Sequence, residues 1–366
     1  MTQGYNVNSQ GLTPLLPGLA ALTRQKCIIP MKTRSSTTSQ RVRCLDLAAT
    51  AAAHWRPRKW IRGSGTRLWA ILGLFTGVGS IFAASFSEQG PPTYSNAPYG
   101  PNPENVLDFW KADGEGPRPL LVYIHGGGWI TGDKREKMPA LRPFLEKGIS
   151  CAAINYRLAP AHPLPSPVHD AARAIQFLRT KANEWRIKTT RIALTGPSAG
   201  GCTAMWLLLH DDVANPGAAD AVLRESSRVC AAAVLVAQTS IDPRVIERWL
   251  GPNVLLHPMI CSAVGEKTIG DALARYDQHR ALYVEFSPIN HVNSGDPPLF
   301  MTCSAEIDLP SRDAGHGIHH PSYGLKLKEA SDRVGHECHL VIPGCSKSER
   351  YADGDAFLVA KLLAKD

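Results

Sequence analysis

The nine cysteines of this 366-residue chain include no C-x-x-C pair and no spacing with histidine that suits a metal ion. That argues against a disulfide scaffold and against a metal site as the organising device. Cys151, Cys230, Cys303 and Cys338 fall instead on apolar runs, where a free thiol acts as a small hydrophobe. No internal repeat is visible. Basic charge is also missing where the formal net charge of +8 suggests it. Residues 1–67 hold 11 of the Lys and Arg against one acidic residue, Asp46, which leaves 29 basic and 31 acidic residues in the remainder. The bulk of the chain is not basic, so nucleic acid is excluded as a ligand.

At 44% hydrophobic and 20% charged, the composition is globular and the length allows a large core. Residues 1–55 lack periodic apolar positions, and residues 1–67 read as a disordered basic extension. Arg56, Arg58, Lys59, Arg62 and Arg67 then precede an apolar run over 68–84 that ends in small residues. Segment 68–85 therefore reads as a secretory signal whose true start lies downstream, or as a single membrane anchor, since the run is close to spanning length. The expected location is secreted or periplasmic, or anchored through 68–84. Residues 87–103, rich in Pro, Ser, Asn and Gly, read as a linker or entry loop into a catalytic domain over 86–366.

From there strands and helices alternate. Strands are predicted near 106–110, 119–124, 150–155, 191–195, 230–237, 298–303 and 338–342, with helices near 167–183, 199–210, 323–334 and 352–364. Near-continuous apolar strands separated by helices indicate an α/β fold with a mainly parallel, doubly wound sheet. About sixty residues separate the strands at 230–237 and 298–303, too many for a simple crossover, so a small cap is expected near 240–290, before the penultimate core strand. Trp249, Leu250, Leu255, Leu256 and Met259 either roof the serine described next or pack as ordinary helix residues.

The apolar run 191–195 ends in Gly196, Pro197, Ser198, Ala199, Gly200 and Gly201, a G-x-S-x-G at the end of a strand. A turn this tight has no room for side chains at its flanks, so the two glycines let Ser198 sit strained and exposed. The helix that follows points its free N–H groups at the place where an oxyanion would form. Some seventy residues earlier, His125, Gly126, Gly127, Gly128 and Trp129 close another strand. A glycine run there lets backbone N–H groups turn inward, and the N–H groups of Gly127, Gly128 and Ala199 are the expected oxyanion hole.

With H-G-G-G-W at 125–129, G-D-K at 132–134, N-Y-R-L-A-P at 155–160 and G-P-S-A-G-G at 196–201, the chain resembles the α/β-hydrolase superfamily. Within it, the resemblance is to hormone-sensitive-lipase-like esterases and the bifunctional feruloyl and acetyl-xylan esterases, over roughly 94–363. Pro197 stands where relatives usually carry Asp or Glu. In this fold the acid and then the histidine follow the serine. Asp308, with Glu306 second, occupies a segment resembling the family's acid turn. The last core strand, however, runs into Pro343, Gly344, Cys345, Ser346 and Lys347, with Lys347 in the place of the usual histidine.

A base must then come from elsewhere. His316, His319 and His320 lie in the long segment leaving Asp308, on the serine's side of the sheet. Pro321 holds His320 extended, which favours His320 as base with His319 next. Lys347 itself ranks last, in a context too solvated to lower its pKa. The resemblance implies a serine carboxylesterase acting on short acyl esters, acetyl or feruloyl groups on polysaccharide among them, with small-molecule or carbohydrate esters as partners and neither metal nor organic cofactor. The alternative is a catalytically impaired binding protein of the same fold, with Pro197 and Lys347 in its favour.

Overall fold

Alternation within single strands shows how the sheet is built. In the strand over Arg118–Ile124, Leu120, Val122 and Ile124 enter one apolar core while Leu121 and Tyr123 enter another. Side chains of successive strand residues leave opposite faces, so a strand buried on both sides must be apolar throughout. The computed structural model describes residues 90–136 and 138–365. The expectations for 1–67 and 68–85 lie outside the described residues. Among those described, no helix is long and apolar enough to cross a membrane.

The strands are β1 (Tyr94–Pro98), β2 (Val106–Trp110), β3 (Arg118–Ile124), β4 (Ser150–Ile154), β5 (Ile187–Pro197), β6 (Ala231–Leu235), β7 (Leu299–Thr302) and β8 (Cys338–Val341). They form one sheet in the order β1-β2-β4-β3-β5-β6-β7-β8. The β1·β2 and β2·β4 pairs are antiparallel and the other five are parallel. The helices in chain order are α1 (Arg142–Leu145), α2 (Ser166–Thr180), α3 (Ala182–Trp185), α4 (Ser198–Leu209), α5 (Pro243–Leu250), α6 (Pro258–Ser262), α7 (Ile269–Ala274), α8 (Tyr276–Glu285), α9 (Ala314–Ile318), α10 (Ser322–Val334) and α11 (Gly354–Leu362). Residues of α2, α4 and α10 contribute to one core, and those of α1 and α11 to the other. Helix α4 is apolar on every side and buried from Ala199 to Leu209, as a helix at the centre of a covered sheet must be.

One segment departs from the sequence reading. Residues 94–98, read as part of a linker, form β1, paired antiparallel to β2. Short, polar and at the sheet edge, β1 carries no alternating apolar signal, and its register shifts between Tyr94 and Ala97. Asp108 in β2 supplies what the pattern lacks: its fully buried carboxylate accepts from the Asn96 N–H at 2.7 Å and from Arg135 Nε at 2.9 Å.

The N-Y-R-L-A-P segment is fixed by an ion pair to α2. Arg157 donates to both oxygens of Asp170, Nε at 2.8 Å and Nη2 at 2.7 Å, with the Asp170 side chain 4% exposed and that of Arg157 24%. Removing one partner of such a pair strands a desolvated charge, a cost of several kcal/mol that the partial exposure of Arg157 reduces. Asp170→Ala is expected to lower unfolding stability by about 2–4 kcal/mol in urea titration at unchanged m-value. A loss below about 1 kcal/mol would mean that the pair is effectively solvated.

Candidate active site

The strand β5 becomes the helix α4 without a linking residue, and Ser198 stands at the junction. Its φ is +51°, in the left-handed region where a side chain is strained by about 1–3 kcal/mol. The neighbours explain why glycine stands two residues away on either side, at 196 and 200. A Cβ on Gly196 would stand 2.4 Å from the Ile124 carbonyl oxygen, and one on Gly200 would stand 2.1 Å from the same atom. The elbow is thus pressed against the end of β3, with Ser198 at the carboxyl edge of the parallel strands.

Facing it is His319. The Ser198 Oγ lies 3.0 Å from His319 Nε2, close enough for the hydroxyl to donate its proton to the ring. His319 follows α9 directly, and that helix is capped by Asp313, which accepts the His316 N–H at 2.8 Å. Two further bonds hold the segment. Ser304 Oγ donates to the His319 carbonyl at 3.0 Å, and the buried Gln238 Nε2 donates to the Ile318 carbonyl at 2.6 Å.

The preference for His320 is corrected by its own partners. Its Nδ1 accepts the Ser322 N–H at 3.0 Å, and Nε2 donates to the Asp308 backbone carbonyl at 3.2 Å. Both ring nitrogens are used by the backbone, and burial, ahead of the other causes, lowers its pKa. Proline 321 holds the segment, but α9 sets which of the two imidazoles turns toward Ser198. Asp308 also differs from expectation. It is exposed, and among the described residues its carboxylate makes no hydrogen bond or ion pair; its main-chain carbonyl accepts from His320, and its charge acts on that ring. Glu306 pairs with Arg312 at the surface. Lys347 is exposed and lines a separate cavity with His320 and Cys345.

The glycine run opens into the same space as Ser198. A cavity of about 670 Å³ is lined by Gly126, Gly127, Gly128, Ser198 and His319, with Leu235, Val236, Thr302 and Cys303 on its walls. Gly127 (φ +99°) and Gly128 (φ +64°) take backbone conformations that other residues rarely adopt, and a Cβ on Gly127 would lie 2.0 Å from the Thr131 carbonyl oxygen. Ala199, fully buried, opens the first turn of α4 beside the serine. Val236, just after β6, has φ +43°, a β-branched residue in the left-handed region bordering the cavity. No sequence signal marks it.

Several motif residues brace this loop. Trp129 Nε1 donates to Thr203 Oγ1 of α4 at 2.9 Å, and its carbonyl accepts the Ala159 N–H at 2.7 Å. Tyr156 stacks on His125 with ring centroids 4.2 Å apart, and its hydroxyl donates to the His125 carbonyl at 2.7 Å. His125 Nδ1 donates to the Gly126 carbonyl at 2.8 Å, and burial lowers its pKa to about 4. A neutral imidazole so held is a brace rather than a proton carrier. Asp133 accepts from Asn155 Nδ2 at 2.8 Å, tying G-D-K to N-Y-R-L-A-P.

Of the two readings of the cap's apolar residues, roof or ordinary helix packing, the structure shows the packing. None of Trp249, Leu250, Leu255, Leu256 and Met259 lines the cavity; the cap residues that do are His257 and Pro258. Leu250, Leu255 and Met259 are buried among the helices, and Leu256 is 69% exposed. Among the described residues, no cluster of three or more His, Cys, Asp or Glu could hold a metal ion.

Strand order, elbow serine and facing histidine define an α/β-hydrolase. The chain belongs to the BD-FAE family, whose model matches residues 107–308. It is similar to the probable carboxylic ester hydrolase LipM of Mycobacterium tuberculosis, 29% identical over 203 residues, which are 54% of this chain and 44% of LipM. With the esterase LipC of the same organism it shares 27% identity over 261 residues, 70% of this chain and 60% of LipC. The chain therefore spans less than two thirds of either relative. Among solved structures, the acetyl ester-xyloside bifunctional hydrolase from Caldicellulosiruptor lactoaceticus superposes with a TM-score of 0.55 at 22% identity, covering 69% of this chain and 86% of that one. A truncated carbohydrate esterase from gut microbiota gives 0.60 at 19% identity, covering 75% and 98%. At such identities the likeness is one of fold.

The geometry predicts which histidine activates the serine. An alkyl fluorophosphonate should label Ser198, as read by the intact mass, with a rate about 10²-fold or more lower in His319→Ala and within about threefold of the parent in His320→Ala. The reverse order would displace His319 as the base.

Proposed function

We propose that this chain is a serine carboxylesterase acting on short acyl esters, among which acetyl or feruloyl esters of carbohydrate are the intended class. The observation that carries the reading is the 3.0 Å approach of Ser198 Oγ to His319 Nε2 at a strained elbow beside the glycine run. In the proposed reaction, Ser198 Oγ attacks the ester carbonyl carbon as its proton passes to His319 Nε2. The carbonyl oxygen becomes an oxyanion held by the N–H groups of Gly127, Gly128 and Ala199. The tetrahedral intermediate collapses, the C–O bond to the alcohol breaks, and the imidazolium returns the proton to the departing oxygen. Water then attacks the acyl-enzyme by the same route and releases the acid.

A cavity of about 670 Å³ with aliphatic walls suits a small acyl group, and the carbohydrate preference draws support from the names of the two structural neighbours. Among the described residues the Asp308 carboxylate makes no hydrogen bond, so the reading does not assign it the task of orienting the His319 imidazole. The binding-protein alternative, favoured by Pro197 and Lys347, loses weight because an imidazole, that of His319, stands within hydrogen-bond distance of Ser198. Export or membrane attachment through residues 68–84 is retained as part of the proposal, supported by the basic flank and apolar run.

The test is hydrolysis of p-nitrophenyl acetate by the full chain. Ser198→Ala is expected to lower kcat by at least about 10³-fold and His319→Ala by about 10²–10⁴-fold. Exposed Lys347→Ala should stay within about twofold. A folded parent no faster than Ser198→Ala would sink the esterase reading.

A further inference from the structure

The cap contributes one polar side chain to the wall of the catalytic cavity for which the chemistry above has no use. His257 precedes Pro258 at the start of α6, and its Nδ1 accepts the Met259 N–H at 3.3 Å. A neutral imidazole that accepts at Nδ1 carries its proton on Nε2, so the tautomer is set by the backbone. Burial first, and the neighbouring His319 second, lower the His257 pKa, which keeps the ring neutral. Nε2–H is then a donor with no hydrogen-bond partner among the described residues, on a half-buried ring. Open to the cavity, this donor can exchange water for an acceptor on a bound substrate.

The position says which half of the substrate that is. Helix α6 sits against the glycine run: a Cβ on Gly128 would lie 3.2 Å from Met259 Cβ. His257 lines the same cavity as Ser198 and His319, and it is close enough to His319 to interact with it electrostatically. His319 is the group that returns a proton to the departing alcohol. A donor beside it, held by the cap, therefore faces the alcohol half of the ester. Pro258 next to it restricts the backbone, so the donor is presented by a stiff segment.

We propose that His257 is a positioning residue for the alcohol half of the ester: its Nε2–H donates to a hydroxyl or ether oxygen next to the ester group. The preferred substrates are then acyl esters of polyols, sugars included, over esters of plain alkanols. This rests on the esterase reading and adds a source of selectivity to it.

Two acetates of nearly equal shape test it, 2-hydroxyethyl acetate and propyl acetate, each followed by acid release in a pH-stat and normalised to its alkaline hydrolysis rate. The parent should prefer the hydroxylated ester by about tenfold in kcat/KM. In His257→Asn, which keeps a side-chain acceptor for the Met259 N–H but shortens the donor's reach, the loss should fall on the hydroxylated ester and bring the ratio near one. His257→Phe, which keeps the ring shape, should give the same ratio and decides the matter if the first variant does not fold. A parent ratio near one, or an equal loss on both esters with the ratio kept, would overturn the proposal and leave His257 a helix cap. If the parent hydrolyses neither ester faster than Ser198→Ala, the esterase reading fails and this inference falls with it.

Discussion

The site depends on how closely the end of β3 meets the junction of β5 and α4. The carbonyl oxygen of Ile124 occupies the space that a Cβ on Gly196 or Gly200 would need, at 2.4 and 2.1 Å. Without that approach, the chain could turn from strand to helix through a relaxed loop, and Ser198 would have no reason to hold φ at +51°. The strain is local, but it persists because everything around it is already determined. β3 and β5 are adjacent parallel strands at the sheet centre, and α4 is buried from its first turn to its last. Strained backbone survives where the surroundings over-determine it.

The same contact joins the two halves of the candidate site. Ile124 ends β3, and His125 to Trp129 follow at once, so the glycine run starts from the very carbonyl that the elbow packs against. Its onward path is fixed from three sides: by Thr203 on α4, by Tyr156 stacked on His125, and by Asn155 bonded to Asp133. Each bond is modest, about 1 kcal/mol net. Together they leave the loop few ways to move, which is what a row of backbone donors requires if it is to meet a developing charge without reorganising. The buried Asp108 and the Arg157–Asp170 pair extend the bracing to β2 and α2.

Where the sequence could be read, local sterics wrote the answer. G-x-S-x-G and H-G-G-G-W are short-range requirements, and each of the seven expected strands overlaps an observed one because burial on both faces demands unbroken apolar runs. The misreadings share a cause: they depended on contacts distant in sequence. β1 is held through Asp108 on another strand, not by its own pattern. The choice between His319 and His320 turns on bonds from Gln238, Ser304 and Ser322, which no local rule reveals. Of the two readings of the cap, the packing of its apolar residues among the helices is the one found, and the residues left at the cavity are His257 and Pro258.

The cap and the imidazole that meets Ser198 are linked by the topology of the sheet. An imidazole in the segment after β8 would reach the serine from the turn that here holds Lys347, where Ile342 bridges to Ser346 and the chain stays at the surface. The imidazole that meets Ser198 here, in the segment after β7, lies beneath the cap, because that segment and the cap both leave the carboxyl edge of neighbouring strands, β7 and β6. His319 is then a neighbour of His257, and neither ring could remain charged close to the other without cost. The proposed reaction requires one of the pair to stay neutral while the other takes up and releases a proton. Burial and a backbone N–H on Nδ1 assign the neutral part to His257. The proposed reaction gives the proton-carrying part to His319, the ring that faces Ser198.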